Sequence, residues 1–223
     1  MNIPFITKEQ MDEINRLLVS DLDISEVDTI EVAGKQIAQI VSGLRPEKII
    51  VAYGSGLNGA IGLVCARYLH YKGFRVEVVG PTTNLKEITQ EQLYKLRSLG
   101  VRESENIDST EDTVIVDAVF GHTLNSDPEG THREIINEIN IDNAIVVSVD
   151  LPSGIDATKG KVYSPYVVSD YTIALGLPKV GIQDNPDLTG KIFVVDMGVP
   201  YNVYKDMEIE IGDLFELSST AEL

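Results

Sequence analysis

The sequence predicts an α/β fold, a mostly parallel central sheet with helices on both faces. Three observations carry this expectation. Short runs rich in Val and Ile recur at 48–53, 75–79, 113–117 and 144–150. Segments with apolar residues at helical spacing separate them. Each run then ends against a glycine or an aspartate. Strands that are near-continuously apolar belong in sheets covered on both sides, and alternation with helices makes those sheets parallel. The architecture expected is a Rossmann-like three-layer sandwich.

The elements follow in order. A helix is expected over 7–18, with Thr7 as its cap and Gln10 completing a capping box. A second, over 25–44, places Val27, Ile30, Ala33, Ile37 and Ile40 at helical spacing, with Pro46 just beyond its end. The first strand covers 48–53. A helix over 63–72 stops at Gly73. A strand over 75–79, a helix over 90–99 and a strand over 113–117 come next. A helix over 131–139 precedes the strand at 144–150. Two further strands, 170–175 and 191–195, lack long helices between them, so that edge of the sheet should depart from strict alternation. The acidic tail from Asp206 onward reads as solvated.

A chain of 223 residues with 43% hydrophobic residues suits one domain, expected to span 1–223. No apolar run approaches the roughly 18 residues of a membrane span. The start, Met1-Asn2-Ile3-Pro4, lacks the basic and apolar stretches of a signal peptide. The single cysteine, Cys65, leaves no internal disulfide, which suggests a cytoplasmic location. A net charge of −17 argues against a nucleic-acid partner. It does not exclude a small phosphorylated ligand held by backbone amides.

Ligands of such sheets bind beyond the carboxyl ends of the strands. That rule selects the loop after Tyr53, Asp117 with its loop, Asp150 with its loop, and the segment after Leu175. The first, Gly54-Ser55-Gly56-Leu57-Asn58-Gly59-Ala60-Ile61-Gly62, is a glycine-rich turn between a strand and a helix. It reads equally as a phosphate cradle or as a tight turn without a ligand. The second strand ends Val79-Gly80-Pro81, without the acid that would hold a ribose, which weighs against an ordinary NAD-dependent oxidoreductase. Asp117 and Asp150 could share a cation or divide acid–base work, with the Asn58 amide and Ser153 hydroxyl as nearby oxygen donors. Zinc is not expected, for lack of a His/Cys cluster. His122 lies in a candidate binding loop. His70, His132 and Cys65 read as surface or packing residues. Lys179 to Gly181 reads as either a binding loop or a turn.

Together these segments resemble the NAD(P)H-hydrate epimerase family, also called YjeF N-terminal domains. Gly54 to Leu69 is similar to the signature GPGNNGGDGLVxARxL, and Asp117-Ala118-Val119-Phe120-Gly121 to DAIFG. Asp150 to Asp156 is similar to DIPSGxD, and Glu31 to Gly34 to the MENAG helix. Leu177-Pro178-Lys179 resembles TAPK, and Val195 to Pro200 resembles the DIGIP ending. The resemblance implies an isomerase of metabolite repair. It would interconvert the R and S forms of NADH and NADPH hydrated at C6 (NADHX and NADPHX), beside a dehydratase specific for the S form. It implies a bound potassium ion at Asn58, Asp117 and Ser153. It places the nucleotide against Leu57, Asn58, Gly59, Ala60 and Ile61, and against Gly121, His122, Thr123, Leu124, Asn125, Ser126, Asp127 and Asp150. Among these residues the chemistry of C6 inversion selects Asp150 as the catalytic residue, a carboxylate that would stabilise a cationic ring and move a proton. A homodimer is also implied.

Val32, Leu57 and Ile61 stand where the family's motifs carry Asn, Asn and Asp. If all three line one pocket, it is drier and poorer in hydrogen bonds. A second reading follows from them: a catalytically diverged nucleotide-binding or scaffold domain.

Overall fold

The computed structural model describes residues 3–141, 144–216 and 218–223. Helix α1 (Lys8–Ser20) opens with the expected capping box: Thr7 accepts from the Gln10 amide, and Gln10 accepts from that of Thr7. Helix α2 (Glu26–Gly43) opens with a second box, made by Ser25 and Asp28. The chain continues through β1 (Lys48–Tyr53), α3 (Leu57–Tyr71), β2 (Arg75–Val79), α4 (Glu87–Ser98), β3 (Arg102–Glu103) and β4 (Thr113–Ala118). Then come α5 (Gly130–Ile139), β5 (Ile145–Val149), β6 (Tyr171–Leu175), α6 (Pro186–Thr189), β7 (Lys191–Val195), α7 (Tyr201–Asp206) and β8 (Thr220–Glu222).

These strands form one eight-stranded sheet in the order β3-β2-β1-β4-β5-β6-β7-β8. All neighbours pair in parallel except β7 and β8. Alternation along the strands separates two cores, as side chains of period two must. Ile49, Val51 and Tyr53 of β1 pack with the core of α1 to α4, while Ile50 and Ala52 pack with Ile135, Ile136 and Ile139 of α5. The helices therefore change face between β1 and β4, and a crevice opens there at the carboxyl ends of the strands.

Two expectations need correction. Helix α3 starts at Leu57, not at 63, so most of the glycine-rich segment is its first turns. The turn itself is only Gly54, Ser55 and Gly56. Gly59 and Gly62 are packing glycines. A Cβ on Gly59 would lie 1.9 Å from the Gly54 carbonyl oxygen, and one on Gly62 would lie 2.4 Å from the Ala118 Cβ. The tail is not solvated. Ile209, Ile211 and Leu214 are buried, and β8 adds an antiparallel strand to β7. Its acids lie between apolar positions and mask them in a composition average.

Candidate active site

Three of the four predicted places meet at one cavity of about 360 Å³, and the fourth reaches it only through Leu175, the last residue of β6. The β1–α3 turn contributes Ser55 and Gly56, the start of α3 Leu57 and Asn58, the loop after β4 Val119 to Thr123, the position after β5 Asp150, and the end of β6 Leu175. Met11, Asp12 and Asn15 of α1 complete the wall.

Asp150 follows β5 directly and sits at φ +72°, a conformation that costs a non-glycine residue energy and collects at functional sites. Its side chain is almost fully buried. Oδ1 lies 2.5 Å from Lys179 Nζ, whose residue is 0% exposed. That ammonium donates to the carbonyls of Leu175 (2.9 Å) and Leu177 (3.1 Å), so its contact with Oδ1 is an ion pair rather than a well-angled hydrogen bond. Oδ2 accepts from the His122 amide at 3.1 Å and lies 3.3 Å from His122 Nδ1. Burial alone would raise the acid's pKa. The Lys179 charge and then His122 outweigh it and hold the carboxyl well below the usual range. Asp150 is thus a fixed anion. Lys179 is sealed from outside by the N-terminal segment: Ile6 donates to the Pro178 carbonyl and accepts from the Val180 amide, both at 2.9 Å.

His122 bridges two acids, because its Nε2 lies 3.3 Å from Asp12 Oδ1. His132, read from sequence as surface or packing, also faces the cavity, with Nε2 3.1 Å from Ser55 Oγ and its ring 5.0 Å from that of Phe120. Burial lowers its pKa.

Asp117 lies below the cavity and is fully buried. Oδ1 accepts from the Val119 amide (3.2 Å) and Ser153 Oγ (2.6 Å), and Oδ2 from Ser148 Oγ (2.8 Å) and the Ser153 amide (2.9 Å). Burial raises its pKa against the pull of these donors. Asn58 Nδ2 donates to the carbonyls of Phe120 (2.9 Å) and Val149 (3.3 Å), and Phe120 returns its amide to Ser153 Oγ at 2.9 Å. Asn58, Asp117 and Ser153 are therefore joined through one loop. Among the described residues no cationic side chain forms an ion pair with Asp117. A buried carboxylate without a counter-charge, joined to the Ser153 hydroxyl and through the Phe120 loop to the Asn58 amide, supplies oxygen ligands of the kind a hard cation takes.

The remaining expected residues divide. Leu57 and Ile61 line the cavity, but Val32 does not: it is partly exposed on α2, and the three substitutions do not share one pocket. Gly59 and Ala60 are inside the first turns of α3. Gly121, His122 and Thr123 line the cavity, whereas Leu124 is buried behind it. Asn125 and Ser126 are exposed beside it, and Asp127 accepts from the Ser164 amide at 3.0 Å. Lys179, Asp12 and His132 were not singled out as site residues. Position after the end of β6 was the signal available for Lys179. Among the described residues no helix is long and apolar enough to cross a membrane.

Comparison with known proteins gives this geometry a family. The profile of the family described as "YjeF-related protein N-terminus" matches residues 27–181. An NAD(P)H-hydrate epimerase of Dehalogenimonas lykanthroporepellens is 34% identical, over 89% of this chain and 84% of its own. One of Leuconostoc citreum is 33% identical, over 87% of this chain and 90% of its own. A bifunctional NAD(P)H-hydrate repair enzyme of Thermofilum pendens is 30% identical over 89% of this chain but only 41% of its own length. The crystal structure of the yeast protein ynu0 (YNL200c) has the same fold, with a TM-score of 0.84, 23% identity, and coverage of 99% of this chain and 100% of that one. By the extent of the profile match and the identity to these relatives, the chain belongs to the YjeF-related family, the family of the NAD(P)H-hydrate epimerases.

Proposed function

We propose that the protein interconverts the R and S forms of NADHX and NADPHX. One observation carries the reading: a buried carboxylate, fixed as an anion, faces a largely apolar cavity at the switch point of a parallel sheet. In this reading inversion at C6 proceeds by the hydroxyl leaving and returning on the other face. The ring nitrogen assists its departure and leaves a cationic, iminium-like ring. A fixed anion in a dry site stabilises such a charge far better than water does. A scaffold role has less support, because an acid at positive φ, buried against a buried lysine, is a costly arrangement to keep without chemistry. The relatives' names favour the enzyme as well.

Potassium belongs to the same proposal, held by Asn58, Asp117 and Ser153. Its contribution there is a permanent positive charge that compensates Asp117 and keeps the surrounding loops in register. The reading also includes a single domain, supported by the one continuous sheet, and a cytoplasmic setting, supported by the lone, buried Cys65. A partnership with a dehydratase draws support from the bifunctional relative, whose chain has room for a second activity. A homodimer is tested by light scattering.

The test is epimerisation of pure R-NADHX and R-NADPHX, coupled to an S-specific dehydratase, with and without potassium. The control is Asp150→Asn, which removes the negative charge but keeps the side-chain shape and an oxygen beside Lys179 Nζ, with folding checked by circular dichroism. A rate above the spontaneous background that disappears in this variant supports the reading. A folded wild-type protein with no such rate refutes it.

A further inference from the structure

Epimerisation needs a proton for the departing hydroxyl, and Asp150 is poorly suited to give one. Its Oδ1 is committed to Lys179 and its Oδ2 to the His122 amide. An acid far stronger than the operating pH holds almost no proton to donate. The proton must come from a neighbour.

We infer that His122 carries the proton of this reaction, while Asp150, locked to Lys179, remains an anion and Asp12 orients the imidazole. The inference rests on the epimerase reading and goes beyond it by dividing its chemistry between two side chains. Each ring nitrogen of His122 faces a carboxylate oxygen at 3.3 Å, Asp150 on one side and Asp12 on the other. The ring is 12% exposed and lines the cavity, while the Asp12 side chain is 45% exposed. The imidazole thus lies at the cavity wall between a buried anion and an acid in contact with water. The titratable side chains of this cavity are Asp12 of α1, Glu26 of α2, Lys86 before α4, His122, His132 of α5 and Asp150, with Lys179 behind. Among the described residues, Asp12 and Asp150 are the acids that reach the His122 ring. His132 is the less suitable proton donor. Its polar contact is the Ser55 hydroxyl, and burial favours its neutral form.

The step balances. The imidazolium gives its proton to the C6 hydroxyl, and the C–O bond breaks with its electron pair leaving on water. The ring-nitrogen lone pair closes a double bond to C6, which places the positive charge near Asp150. Water adds to C6 from the opposite face, and its surplus proton passes to solvent, from which His122 is recharged. No oxidant, reductant or net proton is required.

The experiment is chemical rescue of His122→Ala in the coupled assay. Folding is checked by circular dichroism, and Asp150→Asn is run in parallel. The variant should lose about a hundredfold or more in kcat with little change in KM. Added imidazole should restore a substantial part of the rate. Pyrrole, which fills the same space without a basic nitrogen, should restore none. Asp150→Asn should respond to neither. A folded His122→Ala variant with wild-type kcat overturns the inference. So does a loss that imidazole fails to restore, or one that pyrrole restores equally well. An inactive wild-type protein instead removes the epimerase reading itself, a result no variant can imitate.

Discussion

Replacing Lys179 by Met tests the electrostatic core of the site most directly. The two side chains are 0% and 2% exposed, and Nζ approaches Oδ1 to 2.5 Å. Removing one member of so buried a pair leaves the other charge without water or partner, a loss of about 3–5 kcal/mol. The carbonyls of Leu175 and Leu177 also lose their donor, which places the cost toward the upper part of that range. Domains are stable by about 5–15 kcal/mol, so the variant should fold but be severely weakened. The loss should also depend on pH. In the wild type the Asp150 pKa is depressed, so its stabilisation is complete above the unfolded value of about 3.9 and fades as pH falls through the folded value. In the variant the depressing charge is gone and burial raises the pKa, so stability falls as pH rises above about 3.9. The difference between the proteins should therefore grow from pH 4.5 to pH 7. Urea unfolding at the two values measures it. A difference below about 1 kcal/mol at pH 7, or one equal at both, would refute the argument.

Three further outcomes are expected. Gly62→Ala drives a Cβ to 2.4 Å from that of Ala118 and should cost about 1–3 kcal/mol in urea unfolding; adding Ala118→Gly should recover part of this, although Ala118→Gly alone only destabilises. At about 100 times its dissociation constant, potassium should stabilise the wild type by about 2.7 kcal/mol, or about 5–10 °C in Tm against tetramethylammonium at equal ionic strength. In Asp117→Asn, whose amide turns a donor toward existing donors, that shift should vanish in differential scanning fluorimetry. Leu57→Asn places a hydrogen-bonding group in the cavity wall and should raise kcat/KM for the hydrated cofactor by about threefold to tenfold, whereas Val32→Asn, away from the cavity, should leave it unchanged in the same assay.

Much of this site was legible in the chain because it depends on strand ends. Runs such as Ile49-Ile50-Val51 and Val146-Val147 mark buried parallel strands, and Asp117 and Asp150 declare themselves as acids where those runs stop. Chain topology then brings them to one crevice, since β1, β4, β5 and β6 are consecutive neighbours. The start of α3 was missed because glycines lower helix propensity, and the close approach that requires Gly59 and Gly62 is a tertiary fact. Lys179 was left open between a binding loop and a turn for a related reason. Pro-Lys-Val-Gly has the composition of an exposed turn, and nothing local states that another segment will cover it. Asp12 lies on an amphipathic helix whose polar face reads as solvated until that helix is seen against the β4 loop.

The pairing of Ile6 with the peptide groups on either side of Lys179 has a consequence for how the protein is completed. The two partners are far apart in sequence, so the strap closes only after β6 has been synthesised and docked. Contacts so distant in sequence carry the largest loop-closure entropy and form late. The segment around Ile6 is made long before its partner and is thus among the last to find its place, and a chain with its sheet assembled still lacks a finished active site. A change in the segment before α1 then acts on the Lys179–Asp150 pair from beyond the cavity, without altering a single residue that lines it.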